Sequence, residues 1–263
     1  MRLEDMSWPE VEKVLQQPNV IILPVGSTEQ HSLHLPLDVD SRCATHIAEQ
    51  VAEKVANEHK IHVLVAPTLQ YTDSSSWLSF PGTMGISAET LAKVIEEITR
   101  GLLKQGFKNI LIINGHYPNA APITIALRHL ESDFPDAGLY ALNWWSAGFD
   151  TIPRVRKSKS GLHADELETS VYLAIRPDKV HLDKAVKDLP RYSVSERWAE
   201  PDLCGRQRLI YHTRRNLPVK GRSPGVIGDP TVASRETGEK IIAAVVDDLT
   251  RLILEIMAVP SRS

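Results

Sequence analysis

Cysteine is nearly absent from this chain: two residues, Cys43 and Cys204, among 263. They stand far apart, in neither CxxC nor zinc-ribbon spacing. That excludes a disulfide scaffold and a thiolate metal site, and it fits a reducing, cytoplasmic setting. Long apolar runs are missing too. No stretch approaches the roughly 20 residues that span a bilayer, and Met1-Arg2-Leu3-Glu4-Asp5 lacks the apolar segment of a signal peptide. Positive charge is not in excess, with 30 Lys and Arg against 33 Asp and Glu for a formal charge of −3. Neither nucleic acid nor an anionic membrane is an expected partner. Repeats, low-complexity tracts and dividing linkers are also lacking, so one domain over 1–263 is expected. What remains, 42% hydrophobic and 24% charged, is globular composition.

Periodicity organises that composition. Ser7-Trp8-Pro9-Glu10 reads as a capped helix start running to Gln16, with the proline in the first turn, where its missing N–H costs nothing. Short β-branched runs at 20–25, 61–66, 109–113 and 138–143 read as buried strands. Apolar residues at helical spacing predict helices over 41–57, 87–103, 120–130 and 233–257, and residues 177–232 read as loops and short strands. Strands alternating with helices make βαβ units and a mostly parallel sheet. Ligands in such sheets sit beyond the carboxyl ends of the strands.

The chemistry-bearing residues fall at those ends. Glu29 and His31 follow the first strand two residues apart, so in extended chain they share a face. Asp40 comes nine residues after His31, just before a helical pattern, and His116 lies in the Asn114-Gly115-His116 turn after the third strand. Two imidazoles with carboxylates suit a divalent transition metal, or two metals bridged by one carboxylate. His163 lies in Gly161–Ser170, read as the start of a helix through Ile175, with Glu166 on its face and Glu168 turned to another side. The long segment 67–83 is either a pocket wall or a loop anchored by Trp77 and Phe80. Trp144-Trp145 is either pocket lining or core. The basic stretch 150–161 is expected to be a solvated loop.

Taken together, Gly26-Ser27-Thr28-Glu29-Gln30-His31, His34-Leu35-Pro36-Leu37, Asp40, Asn114-Gly115-His116, His163-Ala164 with Glu168-Thr169-Ser170, and Gly225–Pro230 resemble the creatininase family of metal-dependent hydrolases. The blocks lie in the family's order. The resemblance implies a three-layer α/β/α sandwich and an oligomeric assembly, often a hexamer. It also implies two divalent ions, zinc with manganese, iron or a second zinc. Glu29, His31, Asp40 and His116 would be ligands, Asp40 the bridge. Pro118 stands where creatininase places a ligand glutamate, so Glu168 is the expected replacement and Glu166 the alternative. Lys159 and Ser160 stand where creatininase has a Trp-Asp pair that contacts substrate. His163 is the expected proton shuttle, Tyr117 an expected substrate contact, and His34 a support for a ligand or a second substrate contact. The implied reaction is hydrolysis of a C–N bond in a small polar, cyclic amide or formamide by a metal-activated water. The alternatives are C–C hydrolysis of an oxidised inositol, or a metal-binding subunit without turnover. Relatives in the family also include a peptidase that trims a peptide-derived redox cofactor.

Overall fold

The computed structural model describes residues 1–189, 202–204, 220–221 and 223–259. Much of the segment expected to be loops and short strands, 177–232, therefore lies outside the described residues. Four strands, β1 (Asn19–Val25), β2 (His62–Val65), β3 (Asn109–Asn114) and β4 (Gly138–Asn143), form a parallel sheet in the order β2-β1-β3-β4. The helices are α1 (Trp8–Leu15), α2 (Val39–His59), α3 (Ala88–Lys104), α4 (Ala120–Glu131), α5 (Ile152–Val155), α6 (Glu166–Ile175) and α7 (Arg235–Ala258). No helix among the described residues is long and apolar enough to cross a membrane.

The inner strands β1 and β3, and β2, are mostly apolar and buried because both faces are covered, while the edge strand β4 is only half-buried. Side chains alternate: Val20 and Ile22 of β1 join Leu111 and Ile113 against α2, α6 and α7. Ile21, Leu23 and Val25 join Ile110 and Ile112 against α1, α3 and α4. The result is the three-layer α/β/α arrangement. Caps set the helix starts. Ser7 and Glu10 form a capping box on α1, and Ser87, Asp165 and Ser234 accept from Thr90, Glu168 and Thr237 N–H groups at the starts of α3, α6 and α7.

One expectation needs correction, and one open alternative is decided. Residues 150–161 are not merely a solvated loop. They contain α5, and the Arg156 guanidinium makes a bidentate, largely buried pair with Asp202. Of the readings of Trp144-Trp145, core holds: the two indoles pack edge to face there, their centroids 5.6 Å apart. Buried indoles of that size contribute their area to the α2/α6/α7 side of the sheet.

Helices α6 and α7 meet through Gly238, where a β-carbon would lie 1.8 Å from the Ser170 carbonyl oxygen. Gly101 in α3 has nothing within 4 Å of the same position. Gly238→Ala is therefore expected to destabilise by about 3 kcal/mol, while Gly101→Ala stabilises by about 1 kcal/mol. Thermal melts of the two variants should shift in opposite directions. A neutral Gly238→Ala would mean the α6–α7 contact is looser than drawn.

Candidate metal centre

The strand ends build one buried cluster. After β1 the chain turns through Gly26, whose missing side chain lets Ser41 of α2 approach: a β-carbon there would sit 2.3 Å from the Ser41 Cα. Gly115 after β3 does the same for α2, with a β-carbon 2.3 Å from the Asp40 carbonyl oxygen. These two approaches bring Asp40, in the first turn of α2, between the loops carrying Glu29, His31 and His116. The helix starts two residues before the periodicity predicted. Asp40 and Ser41 are polar yet buried, so hydrophobic spacing could not reveal that first turn.

Asp40 is the centre of the cluster. Its Oδ1 lies 3.1 Å from His31 Nε2 and its Oδ2 3.0 Å from His116 Nδ1. Glu29 Oε1 is 3.4 Å from His116 Nδ1 and 3.5 Å from His163 Nδ1. Glu168 Oε2 is 3.6 Å from His31 Nε2. Three groups of donors lie within 4.8 Å of one another: Glu29, Asp40 and His116; His31, Asp40 and Glu168; and Glu29, His31 and His163. Glu29, His31, Asp40, His116, His163 and Glu168 are therefore brought together. Glu166, the alternative to Glu168, is not: its carboxylate accepts from the Lys157 and Ser158 N–H groups.

His163 is not on a helix. It precedes the Asp165 cap of α6 in an antiparallel bridge with Ile227, and Ala164 beside it adopts φ 49°. Ser32, next to His31, adopts φ 62°. Left-handed backbone at residues other than glycine is strained and persists where surrounding structure enforces it. The bend at Ala164 separates His163 from the Glu166 face and lets the Ala164 N–H donate to Glu168 Oε2. His34 is sealed from solvent and faces α6, its Nε2 at 2.9 Å from the Thr169 hydroxyl. Tyr117 lies at the open edge beside His116, 41% exposed.

Electrostatics follow from burial. Desolvation raises Glu29 to about 7 and holds Glu168 well above the ordinary carboxylate range. Burial opposes charge on His31 and His116, yet Asp40 and Glu29 outweigh it and raise them to about 10 and about 9. Burial raises and the two imidazoles lower Asp40, with the imidazoles prevailing. His163 is pushed well below its usual value by burial and then by His31. His34 falls to about 4 for the same two reasons.

The donor set fits divalent cations. Glu29 Oε1 and Asp40 Oδ2 are buried without an aligned hydrogen bond among the described residues, although His116 lies within ion-pair distance of both. His116 Nε2 donates to the Asp73 carbonyl at 2.9 Å, which leaves the Nδ1 lone pair facing two carboxylates. His163 Nε2 is 2.8 Å from the Gln30 carbonyl and Nδ1 faces Glu29 Oε1. A lone pair opposed to a carboxylate calls for a proton or a cation between them. Two groups sharing Asp40 give two such positions, of mixed imidazole and carboxylate donors suited to zinc, manganese or iron.

Several contributors were visible in the sequence only as members of longer segments, not by their role. The Trp77 indole stacks on the His163 ring at 4.1 Å and 18°, and the His31 ring lies 4.3 Å from it at 36°. Gln30 donates to the Gly225 carbonyl and places its amide nitrogen 2.9 Å from His163 Nε2. Gly225 is required there, because a β-carbon would lie 2.2 Å from Gln30 Oε1. The neighbouring block Gly225–Pro230 was visible in the sequence, but its purpose as a seat for Gln30 was not.

A parallel α/β/α sheet whose strand ends gather a carboxylate shared between two imidazole-bearing groups defines a class of proteins with a candidate site for divalent metal. Comparison with known proteins narrows that class. The sequence profile of Creatininase (creatinine amidohydrolase) matches residues 4–253, and the chain belongs to the creatininase family. It is 32% identical to the mycofactocin precursor peptide peptidase of Mycobacterium tuberculosis strain CDC 1551, covering 91% of this chain and 86% of that protein. It is 30% identical to the creatinine amidohydrolase of Pseudomonas putida, covering 95% of each. It is 29% identical to the 3-dehydro-scyllo-inosose hydrolase of Thermotoga maritima, covering 97% and 83%. Among solved structures, a creatinine amidohydrolase-like protein from Bacteroides fragilis superposes with a TM-score of 0.84 at 25% identity, covering 100% and 98% of the two chains. Solved creatininases similar to it include a Zn-Zn form, a Mn form and a complex with creatine.

Proposed function

We propose that this chain is a metal-dependent hydrolase that cleaves the C–N bond of a small polar amide or formamide with water. The observation that carries the reading is Asp40, one carboxylate placed between the Glu29/His116 and His31/Glu168 groups. Glu29, Asp40 and His116 would hold one divalent ion and His31, Asp40 and Glu168 the other. Glu168 supplies from α6 the carboxylate that Pro118 cannot. Ions bound there supply Lewis-acid polarisation of a carbonyl and lower the pKa of water from about 16 to roughly 7.

The chain's own residues then orient and move protons. His163, kept neutral by burial, has its Nε2–H committed to the Gln30 carbonyl and its Nδ1 lone pair aimed into the cluster. That is the position from which a base takes a proton from water and returns it to a leaving nitrogen, a role worth about a hundredfold or more. Tyr117 stands at the open edge, where an incoming amide passes it. His34 steadies α6 one residue beyond Glu168.

His163→Gln is expected to keep two ions per chain and to lose at least about a hundredfold in turnover. Metal analysis beside a panel of cyclic amides, formamides, oxidised inositols and short peptides tests the reading. No hydrolysis of any C–N bond by a fully loaded protein would defeat it. A second reading, cleavage of a peptide amide, is favoured by the exposed Leu33, Leu78 and Met84. Each lies beside a segment that reaches the cluster, and apolar side chains in a substrate would suit them. The peptide arm of the panel decides between the two.

A further inference from the structure

The segment 67–83 reaches into the metal centre at three points. The Asp73 carbonyl takes the His116 Nε2–H at 2.9 Å. The Ser74 and Ser27 hydroxyls are hydrogen-bonded, and Ser27 Oγ donates towards Glu29 Oε2 at 3.4 Å. Trp77, 5% exposed, lies on the His163 ring. The turn is itself tied down. Trp77 N–H donates to the Ser74 carbonyl, Ile86 N–H donates to the Thr72 carbonyl, and the Thr72 hydroxyl donates to the Gly26 carbonyl.

We propose that Trp77 is a positioning residue for His163: its indole and the His31 ring clamp the imidazole so that Nδ1 stays aimed at Glu29. This rests on the hydrolase reading for its catalytic consequence, but the clamp itself is a statement about geometry. Among the described residues His163 is hydrogen-bonded at Nε2 alone, where the Gln30 carbonyl and side-chain amide converge, while Nδ1 lies 3.5 Å from Glu29 Oε1. A ring held at one nitrogen can still tilt about that contact. The two flat neighbours, at interplanar angles of 18° and 36°, remove the tilt. Among the described residues Trp77 makes no ion pair, and its ring contacts are His163 and, edge to face, Phe80, so its route to the cluster is through His163. Its side chain also closes one side of the ring to solvent.

The test uses the zinc-loaded protein with Trp77→Leu, Trp77→Ala and Trp77→Phe. Nitrogen-15 imidazole spectra, with the His163 resonance assigned by its loss in His163→Gln, report the ring directly. The wild-type ring should show one neutral tautomer protonated at Nε2. Trp77→Leu and Trp77→Ala should show averaging between tautomers or ring orientations, and Trp77→Phe should restore the single state. Zinc content should stay at the wild-type value in all three. On whichever panel substrate the wild type hydrolyses, kcat should fall by about ten- to a hundredfold in the leucine and alanine variants with KM nearly unchanged, and recover in the phenylalanine variant. An unchanged His163 resonance in Trp77→Leu would overturn the inference, as would loss of zinc in step with loss of turnover. If the wild type hydrolyses nothing, the hydrolase reading fails while the spectra still decide the clamp. If Trp77→Ala does not fold, the leucine variant carries the comparison.

Discussion

Asp40→Asn is expected to empty both ion positions at once. The side chain keeps its volume, so the fold of α2 has no steric reason to change. What changes is the pattern of charge and donors. In the native residue one oxygen faces His31 at 3.1 Å and the other faces His116 at 3.0 Å. Asparagine offers one acceptor and turns an NH2 group towards the other imidazole, and the charge both groups share is gone. Outer-shell partners alone typically cost about 10–100-fold in metal affinity when removed, and Asp40 is placed as a direct donor to two ions, so each should weaken by at least about a hundredfold. Turnover should fall by about a thousandfold or more, because the reaction loses both Lewis acids together. Glu29→Gln and Glu168→Gln provide the contrast. Each should deplete one ion and spare the other, since each belongs to only one of the two groups that share Asp40. Metal content per chain, measured for the three variants after dialysis, reads this directly. Retention of two ions by Asp40→Asn would remove the shared-carboxylate arrangement and the reaction built on it.

Why these residues could be found from sequence, and others not, is a matter of how far each signal reaches. The sheet was legible because strands buried on both faces must be apolar throughout, as Val20–Leu23 and Ile110–Ile113 are. Glu29, His31 and His116 were legible as chemistry-bearing residues at strand ends. Their convergence on Asp40 was expected from the family resemblance and not from spacing, because it depends on Gly26 and Gly115 letting α2 come close. The choice between Glu166 and Glu168 turned on one backbone angle, at Ala164, which periodicity treats as a helix start. Glu166 was the alternative to Glu168, and its carboxylate holds the turn at Lys157 and Ser158 instead. Trp77 is the largest gap. Its partner lies 86 residues away in sequence, and an isolated tryptophan in a polar loop reads the same whether it stacks on a core side chain or on an imidazole. Arg156 misled for a related reason: among Arg154, Lys157 and Lys159 it looks solvated, and only Asp202, far along the chain, shows otherwise. Spacing reports local geometry well. It is silent on contacts that loops make across the sheet's open edge.

Removing the ions should change the protein's response to pH as well as its stability. Without them, His31 and His116 are protonated, with folded values of about 10 and about 9 against an ordinary 6.5. A raised value means the folded state holds its protons more tightly than the unfolded chain does. The stability this contributes is complete below about 6.5 and is lost as pH rises through about 9 to 10. Chelated protein should therefore melt at progressively lower temperature from pH 6.5 to pH 10. Ion binding runs the other way, since each imidazole must give up a proton to become a donor, so apparent affinity should rise with pH by up to about tenfold per unit for each proton released. At a thousandfold excess of ion over its dissociation constant, each ion loaded should add about 4 kcal/mol, or roughly 8–16 °C in the melting temperature of a chain of this size. The gap between loaded and chelated melts should therefore widen steadily towards alkaline pH. A constant gap across that range would mean the ions do not replace protons on His31 and His116, and a gap of zero would mean the cluster is not where they bind.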